Sequence, residues 1–214
     1  MYNKSLMQVE EFMVVGDQLV NKTPDPTVFL NRKLIDLRNA LLIEEIRETH
    51  EAYIANDLKE EKDGIADIAV VTYGYMLTIG SSYEPIRSIS YEDRASILSR
   101  LFIIYDMISS WSLETLRCFE SLAGHLSEII SLLEVYGKLI NENLEDLVTI
   151  VHTSNMTKFP ETVEEAELTV AKYANHELYK GVYYKKCQQY NRYVVKSNKD
   201  KVLKSINYKD PVWP

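Results

Sequence analysis

The sequence predicts an all-α protein, a bundle of long helices with a small β-rich tail, and three observations carry that prediction. Seven glycines and six prolines in 214 residues are few, which favours long helices over frequent turns. Apolar residues recur at intervals of three and four through most of the chain. The stretch "IADIAVVTYGYMLTIG" at 65–80 is apolar nearly all round, as a central helix should be.

Residues 5–21 place Leu6, Val9, Phe12, Met13, Leu19 and Val20 on one stripe, predicting a first helix. "TPDP" at 23–26 stops it, because proline cannot continue the hydrogen-bond ladder. A long helix follows over 31–55, with Leu34, Leu37, Leu41, Leu42 and Ile46 inward and Arg32, Lys33 and Arg47 toward solvent. The central helix covers 58–79, and "GSSYEP" at 80–85 is a loop.

Two more amphipathic helices are predicted over 91–110 and 113–137, separated near Ser109, Ser110 and Ser112. "NENLEDLVTIVHTSNMTKF" at 141–159 gives another, ending before Pro160. "PETVEEAELTVAKYANHEL" at 160–178 gives the last, opening on the capping pattern Thr162, Val163, Glu164, Glu165. The tail over about 181–214 is rich in tyrosine and valine and is expected to form two or three short strands.

Composition bounds the function. Hydrophobic residues at 46% and charged residues at 26% describe a globular chain, read as a single domain over 1–214. A net charge of −8 argues against broad binding to nucleic acid polymer or anionic membrane, although local basic patches are compatible with it. No apolar run is long enough to span a bilayer and the first residues lack a signal-peptide core, so a cytoplasmic protein is expected. Cys118 and Cys187 are far apart and form no CxxC, and His50, His125, His152 and His176 are scattered; neither a disulfide framework nor a zinc site is indicated.

The acidic residues of the second and third helices are the main chemical signal. In "LLIEEIRETHEA", Glu44 and Glu48 share a helix face, and Glu45 with Glu48 lies nearly on it. In "EEKDGIAD", Glu60, Asp63 and Asp67 fall on one face of the next helix. A short connection makes these helices antiparallel neighbours, so the two faces can meet. Converging carboxylates repel unless a cation sits between them, and carboxylate oxygen is the ligand that Mg²⁺ or Mn²⁺ prefers. An isolated EExxE is ordinarily a solvated face. Asp67 breaks that pattern, because it stands between Ile65, Ala66, Ile68 and Ala69 and there wants a partner.

With these residues in view, "LRNALLIEEIRETHEA" followed by "DGIADIAVVTYG" resembles the MazG-like, all-α nucleoside triphosphate pyrophosphohydrolases. "VEEFMVVGDQLVNKTP", "VHTSNMTKF" and "DKVLKSINYKDPVW" resemble the bacterial and phage branch similar to phosphoribosyl-ATP pyrophosphohydrolase, in matching order from residue 9 to residue 213. The resemblance implies a MazG-like helical bundle and Mg²⁺-dependent hydrolysis of an NTP or dNTP, dUTP-like substrates included, to the monophosphate and pyrophosphate. It implies Glu45, Glu48 and Asp67 as metal ligands, Asp63 as the second acidic residue of the following helix, and Glu44 as a further ligand or the group that orients the attacking water. Glu44 and Glu48 are the candidate catalytic residues.

Asn155 and Lys158, with Lys201 and Lys204, match positions that contact substrate and its phosphates. For the base, Phe12, Gln18 and Tyr73 are candidates, since an aromatic ring stacks and an amide reads a base edge. Arg38 can pair with a carboxylate or reach phosphate, and the ion pair is the ordinary reading; His152 is read as a packed helix residue, because metal-activated water needs no histidine base.

The chain departs from the family pattern in three places. The common spacing on the third helix is ExxD, yet Gly64 stands three residues before Asp67. The acidic pair is then Asp63 with Asp67, or the register shifts to Glu60 with Asp63. "DKVLK" lacks the glycine expected inside its motif. About seventy residues separate "YGYMLTIG" from "VHTSNMTKF", where a short connection is usual. A helical insertion over about 85–140 is expected, centred on 91–137, to cap the pocket or form a subunit contact. A homodimer or higher homo-oligomer is expected. Hydrolysis of phosphoribosyl-ATP, or a non-catalytic helical interaction protein, are the competing functions.

Overall fold

The structure is a computed structural model and describes residues 3–86, 89–110 and 117–213, with the side chains of Arg117 and Cys118 left aside. The expected helix start at 113–116, Ser112 of the expected break, and Cys118 as a side chain therefore lie outside the described residues. The architecture is helical with a small antiparallel hairpin near the C-terminus, as the sequence predicts. The chain divides into two compact units, one of residues 1–7 and 20–149 and one of residues 8–19 and 150–214.

Helix α1 spans Lys4–Val15 and not 5–21. Asp17 adopts φ 54°, and the amides of Gly16 and Gln18 donate to the carbonyls of Phe12 and Met13, so the helix is capped four residues before Leu19 joins the expected stripe. Leu19 is accordingly 44% exposed. "TPDP" therefore does not end the helix, which has already stopped at Val15. It opens a 3₁₀ turn instead, Pro26–Leu30, which the sequence pattern does not predict; Asp25 caps it by accepting from the Thr27 amide.

In the first unit, α2 covers Arg32–Ala55, capped by the Asn31 side chain at its start and by left-handed Asn56 at its end. Its buried stripe is Ile35, Arg38, Leu42, Ile46, Thr49 and Ala52. Leu37, expected inward, is 52% exposed, because the helix is rotated about one residue from the Leu34–Leu37–Leu41 reading. Helix α3, Leu58–Ile79, starts at an Asp57 cap and ends at Gly80 with φ 76°, where a Cβ would meet the Thr23 carbonyl. From Thr72 to Ile79 every residue is buried, as a central helix requires.

Helices α4, Arg94–Ser109, and α5, Arg117–Leu139, pack on this pair: α4 against α2, and α5 against α3 and α4. Ile97, Leu101 and Ile104 of α4 and Leu126, Ile129 and Leu133 of α5 are fully buried. The expected insertion thus supplies half the core of a four-helix bundle.

Helix α6 runs Leu144–Met156 and α7 runs Val163–Tyr173, with Thr162 accepting from the Glu165 amide as its capping pattern predicts. Within the second unit the hairpin pairs β1, Tyr183–Cys187, with β2, Arg192–Lys196, in the register Tyr183↔Lys196 to Cys187↔Arg192. A single bridge, Lys196↔Val202, extends it. Val15, Met156, Phe159 and Val194 form one core of this unit, and Ala166, Val195 and Leu203 another. No helix among the described residues is long and apolar enough to cross a membrane.

Candidate active site

The two motif helices come together at one close contact. A Cβ on Gly64 of α3 would stand 2.3 Å from Thr49 Oγ1 of α2, so only glycine allows this approach without displacement. Thr49 is fully buried and its hydroxyl donates to the Glu45 carbonyl at 2.7 Å. Gly64 lies next to Asp63 and one turn before Asp67, while Thr49 lies next to Glu48 and one turn after Glu45. The contact therefore draws the acidic stretches of the two helices toward each other.

Glu45 lies at the centre of them. Burial, together with the negative charges of Asp67, Glu48, Glu44 and Asp63 in that order, raises its carboxyl from the usual range to about 8. Glu44 and Glu48 are exposed on α2, and Asp63, Asp67 and Glu45 are half-buried. The five predicted acidic residues are thus electrostatic neighbours. Glu60, of the alternative register, is exposed, and the charges that chiefly raise the Glu45 pKa are those of the other four. Among the described residues, no three or more His, Cys, Asp or Glu side chains are grouped so as to hold a metal ion in this conformation. The all-oxygen donor set and the shifted Glu45 both fit a hard divalent cation.

The other sequence candidates fall into separate surroundings. Arg38 is buried on α2, and burial lowers its pKa to about 10. Tyr73 belongs to the first unit, is 2% exposed, and its hydroxyl accepts from Asn3 Nδ2 at 3.0 Å. Burial raises its pKa. Phe12 and Gln18 belong to the second unit. There the Phe12 ring lies 5.2 Å from that of Phe159, and Lys158 Nζ lies 5.7 Å from Phe12 and 5.9 Å from Tyr208. Asn155 is buried; Lys201 lies over Tyr179, and Lys204 Nζ stands 4.0 Å above Tyr208 and 3.8 Å from Asp210. His152, read as a packed residue, is half-buried and 3.2 Å from Glu11, and burial lowers its pKa.

The sequence reading passed over one buried charge. Glu61 is 1% exposed, receives Arg94 Nη1 on both oxygens at 2.8 and 2.7 Å, and accepts the Tyr136 hydroxyl at 2.6 Å. The Arg94 guanidinium also lies 5.1 Å over the Tyr53 ring. Side chains from α2, α3, α4 and α5 meet here, two residues from Asp63. A signal was available: Glu61 shares a helical stripe with Ile65, Ile68 and Thr72, which are all buried.

Comparison with known proteins bears on the same segment. Residues 9–89, which include all five carboxylates, match the family model of phosphoribosyl-ATP pyrophosphohydrolase. The chain is also similar to the uncharacterized protein L479 of Acanthamoeba polyphaga mimivirus, 26% identical over 208 residues that cover 85% of this chain and 82% of that one. No solved structure matches. Over residues 9–89 the chain is thus similar to phosphoribosyl-ATP pyrophosphohydrolase, in keeping with the MazG-like, all-α superfamily that its motifs resemble.

Proposed function

We propose that the protein is a Mg²⁺-dependent nucleoside triphosphate pyrophosphohydrolase that converts an NTP or dNTP to the monophosphate and pyrophosphate. The family relation supports the coarser part of this reading, a hydrolase of phosphoanhydride bonds in a nucleotide-like substrate. The observation that carries the rest is the cluster of Glu44, Glu48, Asp63 and Asp67 around the partly buried Glu45. Several carboxylates gathered about a half-buried one suit a divalent cation, and a substrate that arrives with one.

In this reading Glu45, Glu48, Asp63 and Asp67 hold the metal and Glu44 holds or orients the attacking water. A divalent cation held by these carboxylates would supply positive charge against the substrate's phosphates and a more acidic water. Mn²⁺ is the natural substitute. The Gly64 and Thr49 contact sets the distance between the α2 and α3 backbones from which these carboxylates extend.

The family description favours one second reading, hydrolysis of phosphoribosyl-ATP itself. Pyrophosphate release with Mg²⁺, across canonical and modified ribo- and deoxyribonucleoside triphosphates with phosphoribosyl-ATP included, separates the two. Turnover of one or two triphosphates supports the main reading, and turnover confined to phosphoribosyl-ATP supports the second. No release from any of them, with Mg²⁺ or Mn²⁺, overturns both.

A further inference from the structure

The C-terminal segment has a charge balance opposite to that of the chain. Residues 178–213 contain nine Lys or Arg against two Asp or Glu, a balance of +7 in a chain whose total is −8, and they contain six tyrosines. Part of that charge is neutralised internally: Lys185 and Lys196 meet Asp17, Lys196 meets Asp200, Lys204 meets Asp210, and Arg192 meets Glu161. Lys180, Lys186, Lys199 and Lys201 are exposed, and no carboxylate lies within ion-pair distance of them among the described residues.

Backbone contacts bring these lysines to one strand. The Asn198 amide donates to the Lys180 carbonyl at 2.9 Å and the Ser197 amide to the Lys201 carbonyl at 3.0 Å, so the turn holding Lys199 is seated beside the start of β1. Gly181, at φ 56°, permits that seat, since a Cβ there would stand 3.1 Å from Asn198 Cβ. Lys186 lies further along β1. From Tyr183 to Lys186 the extended strand rises about 10 Å, and Gly181 bends the chain between Lys180 and that strand.

Aromatic rings alternate with these charges. Tyr183 and Tyr184 are 43% and 36% exposed on opposite faces of β1, Lys186 lies over Tyr193 and Lys201 over Tyr179. β1 pairs only with β2 among the described strands and is exposed at four of its five positions, so both its faces reach solvent. Cations spaced along an extended strand, with flat rings between them, suit a ligand that alternates phosphates with unstacked bases. An anionic membrane would use the charge and leave the spacing of the rings without a role.

We propose that the exposed strand β1 and the 197–201 turn form a binding surface for single-stranded nucleic acid, with Lys180, Lys186, Lys199 and Lys201 on its phosphates and Tyr184, on the same face of β1 as Lys186, stacked on a base. A net charge of −8 argues against broad binding of nucleic acid polymer and is compatible with a local basic surface of this kind.

The test is fluorescence anisotropy of a labelled oligothymidylate of about twenty nucleotides with the full chain. Four phosphate contacts predict a salt slope of about −3, so affinity falls about fiftyfold between about 50 and 200 mM salt. The triple variant K180Q/K186Q/K199Q should weaken binding more than tenfold, and Tyr184→Ala should weaken it severalfold at unchanged charge. Circular dichroism checks that each variant keeps its fold. Three results overturn the proposal: no binding at low salt, binding to heparin as tight as to the oligonucleotide and indifferent to the tyrosine variant, or binding to phosphatidylserine vesicles with none to the oligonucleotide.

Discussion

Gly64 and Thr49 touch across α2 and α3, with a would-be Cβ of Gly64 2.3 Å from Thr49 Oγ1. The glycine that departs from the ExxD spacing is therefore the residue that lets the two acidic helices approach. A glutamate at this position would restore the spacing and lose the contact.

Gly64→Ala should destabilise the protein by about 2 kcal/mol, because overpacking against a fully buried threonine outweighs the better helix propensity of alanine. Gly64→Asp should cost more, since it also buries a charge. Urea denaturation measures both. Thr49→Ala combined with Gly64→Ala should recover part of the loss, and additive effects of the two changes would contradict the contact.

Arg94→Ala should destabilise by about 3 to 5 kcal/mol, because it leaves the buried Glu61 carboxylate without its cation. Tyr136→Phe removes a single hydrogen bond to that carboxylate and should cost about 1 to 3 kcal/mol. Thermal unfolding of the two variants checks the order, and Arg94→Ala paired with Glu61→Gln should be less damaging than Arg94→Ala alone.

Stability should fall in mildly acid solution through His152. Its folded-state pKa is lowered by burial below the usual value near 6.5, so the unfolded chain takes up the proton first. The contribution is complete above about 6.5 and is lost as pH falls through that value toward the folded pKa. His152→Gln should flatten this slope in denaturation curves taken between about pH 5 and 7; an unchanged slope assigns it to other groups.

Mg²⁺ should raise the melting temperature of the wild type and leave Asp67→Ala unmoved. Glu45→Gln should stabilise the metal-free protein, because it removes a negative charge from a site where burial and four neighbouring carboxylates all oppose ionisation. A destabilised metal-free Glu45→Gln would mean that the cluster is already compensated.

Much of the fold was legible because it rests on local periodicity. Helix α2 ends at Ala55 and α3 spans 58–79 as expected, since Asp57 and Gly80 are strong local signals. What was not legible depends on tertiary contacts. The inward placement of Leu37 failed because α2 turns its Ile35, Arg38 and Leu42 stripe to the core, and both stripes are periodic. Glu61 looked like one more acid in an acidic run until Arg94 and Tyr136, 33 and 75 residues away, arrived to pair it. The role of 91–137 as half of a bundle depends on which faces meet, which spacing alone leaves open. Of the site, the acidic positions were readable from helical spacing and resemblance, while the burial of Glu45 and the reason for Gly64 required the packed helices.

The most direct test of the central claim is the rate of Mg²⁺-dependent pyrophosphate release in Glu48→Gln and Asp67→Asn against the wild type, each with its fold verified. If these carboxylates hold the metal, both variants should lose at least about a thousandfold, as groups acting on the transition state do. Rates within about tenfold of the wild type in both would place the chemistry elsewhere in the molecule.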